Sequence, residues 1–289
     1  MSNASQFGQA EWILNKCKQC GLHTGILIEA GASEPNRINN SRIFLDNGWK
    51  AYLIEGDKAF VSMWKELNLS KTIIIPKYIH YTQYGLEIAF DWTGEGSMID
   101  VLFFDIDGGE YQLLEGLRKY RPKFICVEYN NSYPLCIDFV PNSIRHGVQA
   151  SSRAMYRLMA AKGYTYCKSF FHDHVFISNE FLDKTKPNVF EEPLGITAFA
   201  NNASKHLYNY FNVLAFQKDP VDGINFCKER LDFLINNGSR EQARIYFWFT
   251  THTIYSFKNE INKARGEEYC KSLWIAYDEF HHSYALLLF

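Results

Sequence analysis

The sequence predicts an α/β fold: a doubly wound, mostly parallel sheet closed by an antiparallel hairpin and followed by a helical extension. Three observations carry this expectation. Between residues 24 and 162, short apolar runs alternate with amphipathic ones, and strands separated by helices run parallel. The last two apolar runs, 164–170 and 174–178, have only residues 171–173 between them, too short for a crossover, so they pair antiparallel. From residue 180 onward the pattern turns helical. The expected division is a sheet domain over 1–179 and a mostly helical extension over 180–289.

The elements follow in order. Residues 6–20 read as an amphipathic helix stopped by Gly21. "TGILIEAG" (24–31) is an apolar strand ending in a glycine turn, 37–47 suit a helix stopped by Gly48, and "KAYLIEGD" (50–57) is a second strand. Asp57 is placed to cap a helix over 58–67. A third strand, 71–79, contains Pro76, which belongs at an edge or an irregularity. Residues 80–98 are polar and glycine-bearing and read as loop. A fourth strand (99–105), a helix (109–119), a fifth strand (123–130), a loop with two prolines (131–144) and a helix (148–162) lead into the hairpin. In "DGINFCKERLDFLINNG" (222–238), Ile224, Cys227, Leu231, Leu234 and Ile235 share one helical face, with Asp222 as cap and Gly238 as stop. Residues 239–266 and 267–289 continue helically, packed on the sheet domain or against a second subunit, which makes a homodimer through these helices an expectation.

Composition narrows the function. The 289 residues carry 30 Lys plus Arg against 32 Asp plus Glu, a net charge of −2. That balance offers no general attraction to nucleic acid or to an anionic membrane. No apolar run has the length of a bilayer span, and the N-terminus lacks a secretory pattern. Seven scattered cysteines argue for reduced thiols and a cytoplasmic setting. The lone Cys17-x-x-Cys20 pair has no second pair to complete a zinc site and reads as structural.

Chemistry concentrates at the carboxyl ends of the expected strands. In "LIEAGASEPN" (27–36), glycine after a buried strand lets a ligand approach the backbone, although the dinucleotide pattern GxGxxG is absent. Glu55, 24 residues after Gly31, ends the second strand, where a carboxylate accepts hydrogen bonds from ribose hydroxyls. The fourth strand delivers Asp105 and Asp107. A phosphatase of the dehalogenase type places such a pair on its first strand, usually followed by Gly-Thr or Gly-Val; here Gly-Gly-Glu follows, on the fourth. A metal-dependent glycosyltransferase also carries Asp-x-Asp after a nucleotide-binding half, but that reading leaves Glu55 and the closing hairpin unexplained. Glu128 and Asn130 end the fifth strand, so Asp105, Asp107 and Glu128 form a candidate cluster for base chemistry or a divalent cation, Mg²⁺ or Mn²⁺. His172 and His174 alternate and so share a strand face, or else are solvated turn residues. His281 and His282 read as surface.

Four blocks, "GILIEAGASEPNRINNSRIFLDNGWKAYLIEGD", "IDVLFFDIDGGEYQLLEGL", "RPKFICVEYNNSYP" and "GVQASSRAMYRLMAAKGY", together resemble in order those of S-adenosylmethionine-dependent methyltransferases, nearest the FkbM-type group and its relatives. The resemblance covers about residues 24–178 and implies a Rossmann-like, class I methyltransferase sheet. It implies S-adenosylmethionine as cofactor in a pocket of Glu29, Gly31, Ala32, Ser33, Glu55, Gly56, Asp105 and Ile106, with Asp105 near the methionine or adenine portion. This chain departs from the pattern at Glu34-Pro35-Asn36, where relatives more often have glycine. The expected reaction is methyl transfer to an oxygen of a small molecule or glycan. Asp107 or Glu128 serves as base or metal ligand and His172 as a third candidate. A fold of this kind without activity, serving as a binding or assembly module, is the non-enzymatic alternative.

Overall fold

The computed structural model describes residues 5–37, 39–96, 98–144, 146–184, 189–190, 194–199, 220–237, 240–256 and 267–288. The chain forms two compact units. The first comprises residues 1–130, 143–150 and 155–200, and the second 131–142, 151–154 and 201–289.

The first unit is built on a seven-stranded sheet: β1 (Ile26–Ala30), β2 (Lys50–Ile54), β3 (Thr72–Ile75), β4 (Val101–Phe104), β5 (Phe124–Glu128), β6 (Tyr164–Phe170) and β7 (Asp173–Ser178). Their order is β3-β2-β1-β4-β5-β7-β6. Strands β1 to β5 are parallel, whereas β7 lies antiparallel to both β5 and β6. This is the Rossmann-like, doubly wound sheet with a closing hairpin. Parallel strands need helices on both faces, so β1, β2 and β4 are buried almost throughout and read as unbroken apolar runs. The edge strand β3 is only half-buried and stops just before Pro76, because proline cannot donate to a ladder. In β6 the pairing steps from Tyr166 to Lys168 opposite neighbouring residues of β7, leaving Cys167 as the extra residue of a bulge.

Helices α1 (Gln9–Gln19), α2 (Ser41–Asp46), α3 (Lys58–Glu66), α4 (Gly85–Asp91), α5 (Glu110–Gly116), α6 (Ser152–Ala161) and α7 (Asn179–Lys184) accompany the strands. Asp57 caps α3 as expected, its carboxylate accepting from the Ala59 amide at 2.7 Å. Two helices depart from expectation. Helix α4 lies inside the stretch read as loop, held by buried Leu86, Ala89 and Phe90. Helix α2 begins at Ser41 rather than 37, since the departing segment Glu34-Pro35-Asn36 is turn. One core collects Ile13, Leu14 and Cys17 of α1, Phe44, Trp64, and the inward residues Leu27, Leu53, Phe103, Phe124 and Val175. Burial pushes the Cys17 thiol up, so Cys17 of the CxxC pair is a core residue.

The second unit contains α8 (Pro220–Asn237), α9 (Arg240–Ser256) and α10 (Glu267–Leu288). The expected face of α8 is real: Ile224, Cys227, Leu231 and Leu234 are fully buried and Ile235 packs against them. They meet Tyr246 and Phe247 of α9, Leu273 and Phe280 of α10, and Tyr133, Ile137 and Phe139. Asp222 is not the cap, because α8 already begins at Pro220, a residue suited to a first helical turn. Gly238 and residues 257–266 fall outside the described residues. No described helix is long and apolar enough to cross a membrane.

Candidate functional site

Strand order reverses between β1 and β4, and the crevice outside the carboxyl ends of such strands is where ligands bind in open α/β sheets. Three strand tips meet there. Gly31 follows β1 with φ 85°, and its amide donates to the Ile54 carbonyl at 3.0 Å. A Cβ on Gly31 would overlap the Asp105 carbonyl oxygen and lie 2.8 Å from the carbonyl carbon. The first demand on this glycine is therefore the close apposition of the β1 and β4 tips, ahead of any ligand. Glu55, at the tip of β2, accepts from the Ser33 amide at 2.8 Å and the Asp57 amide at 2.7 Å. Glu55 thus points toward the β1 turn, and Ser33 is fixed further by the Trp64 indole, which donates to its carbonyl at 2.9 Å.

Two cavities open from this turn and share Gly31, Ser33 and Asp105. The larger, about 540 Å³, is lined by Glu55, Gly56, Ile54, Phe60, Lys77, Tyr78, Ile79, His80, Tyr81, Ile106, Asp107 and His146 as well. That volume lies within the range of cofactor-sized pockets. The Tyr78 ring occupies the space a side chain at Gly56 would fill, yet Tyr78 itself is 71% exposed. The smaller cavity, about 210 Å³, is polar, with Gln6, Gln9, Glu29, Asn40 and Asp173 in its wall.

Two of the expected pocket residues are also tied into the framework. Glu29 is buried and caps the start of α2: it accepts from the Asn40 amide (3.3 Å), the Asn40 side chain (3.2 Å), the Ser41 amide (3.1 Å) and the Ser41 hydroxyl. Burial raises its pKa to about 7, against these four donors. Ala32 is buried in the core, and its amide donates to Ile54. Both still border the smaller cavity. Ser33, Gly56 and Ile106 line the larger one, with the Ile106 amide donated to Glu110.

Beyond β4 and β5 the carboxylates gather. Single oxygens of Asp105, Asp107 and Glu128 lie within 4.8 Å of one another, the only such group among the described residues able to hold a metal ion. Gln149 donates to Glu128 at 2.8 Å. Burial and the nearby Asp105 push Glu128 up to about 9, and Asp105 is raised by burial and by Asp107 while sharing a hydrogen bond with Glu128. The Asp105 residue is open at the cavity, while its carboxyl is crowded by surrounding protein and by the like charge of Asp107. Burial also takes Asp173 to about 8 and Glu110 to about 7. This crowding is what one expects where several carboxyls share a desolvated corner.

The two histidines part company. His172 sits half-buried in the hairpin turn against Phe7, ring centroids 5.0 Å apart. Burial lowers its pKa while Asp107 opposes this. His174 is neither a ligand nor a solvated turn residue: it is buried, stacked on Tyr129 at 3.7 Å, with its Nδ1 2.7 Å from the Ser169 hydroxyl. Sequence reasoning passed over Tyr78, Tyr81, Lys77, His80 and His146 at the large cavity, and Gln9 and Asp173 at the small one. Gln9 donates to Asp173 at 3.1 Å across 164 residues, and no local pattern announces such a pair. A signal existed for Tyr78: "PKYIHYTQY" (76–84) is unusually rich in aromatics just past a strand end.

No protein-family model matches the chain, and no curated protein is similar to it at a significant level. Its fold is similar to the crystal structure of monomeric WbdD, at 12% identity and TM-score 0.42, over 59% of this chain and 41% of that one. It is similar to a SAM dependent methyltransferase from Aquifex aeolicus, at 11% identity and TM-score 0.36, over 58% and 87%. A third likeness is to phosphoethanolamine N-methyltransferase 1 of Haemonchus contortus in complex with phosphoethanolamine and S-adenosylhomocysteine, at 10% identity and TM-score 0.36, over 78% and 54%. This chain thus spans less than half of the WbdD chain.

Proposed function

We propose that the protein is an S-adenosylmethionine-dependent methyltransferase that methylates an oxygen of a small molecule or glycan. The observation that carries this reading is the convergence of the Gly31 turn, Glu55 and Asp105 on one cavity of about 540 Å³. The residues fit the cofactor. Glu55 offers about four acceptor sites, and two are filled by the Ser33 and Asp57 amides, so acceptors remain for ribose hydroxyls. Phe60, Tyr78 and Ile79 supply flat apolar surface for a base. The smaller cavity, with Gln9 and Asp105, suits the amino-acid end.

The sulfonium supplies an electrophilic methyl when bound. What remains for the protein is alignment and removal of one proton. Alignment contributes more to the rate; a placed base adds roughly 10² to 10⁴. Asp107 faces the cavity and is our favoured base. With a pKa of about 9, Glu128 stands protonated at neutral pH and donates to Asp105 instead. His172, beside Asp107, is the third candidate. The three clustered carboxylates are hard oxygen donors and fit Mg²⁺ or Mn²⁺. A cation there would displace the proton held by Glu128.

That same cluster favours one rival, a metal-dependent glycosyltransferase using Asp105 and Asp107. Calorimetry decides between them, with S-adenosylhomocysteine in one series and a UDP-sugar plus Mn²⁺ in the other. Binding of the first without the second supports methyl transfer, the reverse supports glycosyl transfer, and binding of neither points to a non-catalytic module. Repeating the Mn²⁺ titration in buffers of different ionisation enthalpy reads the displaced proton. Cys17, Cys126, Cys136, Cys167 and Cys227 form no disulfide, in keeping with a cytoplasmic setting. Exposed Trp248, Ile275 and Leu286 support pairing of two copies through the C-terminal helices, which sedimentation velocity tests.

A further inference from the structure

The turn that carries Asp105 and Asp107 is held in an unfavourable shape. Asp107 has φ 57°, and Gly108 and Gly109 follow at 128° and 93°. Glycine adopts positive φ freely, so the strained member is Asp107, which persists there only where the surroundings over-determine it. Glycine is needed at 109 for space as well, since a Cβ there would lie 2.5 Å from the Ile144 side chain. From outside, the segment 143–150 braces the turn: Gly147 donates to the Asp107 carbonyl and Val148 bridges Gly108.

From inside there is one brace. The Glu110 carboxylate is 1% exposed. Its Oε1 accepts from the Ile106 amide at 3.2 Å and from the Gly108 amide at 2.7 Å. It therefore reaches back over Asp107 and ties together the residues on either side of it. Its Oε2 is buried with no hydrogen-bond partner. A buried acid with one oxygen left orphaned is a costly choice for filling space, which argues that the clamp is what the position supplies.

We propose that Glu110 is a positioning residue: its carboxylate clamps the backbone on both sides of Asp107 and so sets the direction in which Asp105 and Asp107 face the cavity. The functional part of this inference rests on the reading of that turn as cavity wall and carboxylate cluster. The clamp itself does not.

Three variants of the full chain test it. Glu110→Gln keeps an acceptor at the same reach, Glu110→Asp keeps the charge but is one methylene short, and Glu110→Ala removes both. Amide exchange is followed at Ile106 and Gly108, alongside melting temperature and the affinities for S-adenosylhomocysteine and for Mn²⁺. In the Asp and Ala variants, exchange at these two amides accelerates and the affinities fall, each by roughly 10- to 100-fold. Glu110→Gln stays close to wild type. If Asp and Ala leave exchange at 106 and 108 unchanged, there is no clamp. If Gln fails together with Ala and melting drops equally in both, Glu110 serves the fold alone, and the proposal is overturned. Should wild type bind neither probe, the functional reading above falls, while the exchange comparison still decides the clamp.

Discussion

Replacing Gly31 by alanine tests the turn from which both cavities open. At φ 85° an L side chain costs about 1–2 kcal/mol. The added methyl overlaps the Asp105 carbonyl oxygen and comes within 2.8 Å of its carbon. Both atoms are backbone, in the residue that follows β4, a strand hydrogen-bonded to β1, so no rotamer change relieves the overlap. Parting the two strand tips is an overpacking penalty of roughly 1–3 kcal/mol. The combined cost is about 2–5 kcal/mol, which at 2–4 °C per kcal/mol for a domain of 150–250 residues lowers Tm by about 4–20 °C. Thermal unfolding followed by circular dichroism measures it. Calorimetry with S-adenosylhomocysteine, at a temperature where the variant is folded, should show weakened binding as well. A variant melting within about 1 °C of wild type would mean that the β1 and β4 tips are not pressed together, and the geometry of the crevice would have to be redrawn.

Three further outcomes are expected. Burial lifts Glu29 to about 7, so the folded state keeps a proton that the unfolded chain has already lost. The contribution of Glu29 to stability therefore falls as pH rises from about 4.5 to about 7, by about 3 kcal/mol, and is constant above. Glu29→Gln removes this slope in urea unfolding, and parallel curves for the two proteins would count against it. Tyr78→Ala should weaken S-adenosylhomocysteine binding by about 0.5–1.5 kcal/mol, the worth of an aromatic contact, with Tm unchanged because Tyr78 is largely exposed. An unaltered isotherm would remove Tyr78 from the base-binding surface. Asp57→Ala should cost about 1 kcal/mol through loss of the α3 cap, measured by urea unfolding, and no loss would mean that solvent replaces the cap.

The sheet was legible because its physics is local. Buried parallel strands leave apolar runs, glycine stops mark helix ends, and the short link before β7 left antiparallel pairing as the remaining choice. The tips of β1, β2 and β4 were legible for the same reason, as each ends in a conspicuous carboxylate or glycine. Roles that depend on a partner far along the chain were not. The sequence carries no sign that Asn40 and Ser41, more than ten residues on, donate to Glu29. His172 and His174 alternate in sequence, yet the turn separates them, leaving one against Phe7 and the other stacked on Tyr129. Nothing in the sequence singles out Glu110, whose carboxylate closes over the strained turn before it. Helix α4 was missed because it is only seven residues long and lies inside a polar, glycine-bearing stretch.

The central claim is that Glu55, drawn toward the Gly31 turn, forms one wall of a nucleoside crevice that also reaches Asp105. Titration calorimetry of the full chain with S-adenosylhomocysteine, wild type beside Glu55→Ala, tests it most directly. The account predicts one site per chain in the wild type and at least a tenfold loss in the variant, about 1.4 kcal/mol or more. A wild type that gives no heat with this ligand, or a variant that binds it as tightly, would contradict the account.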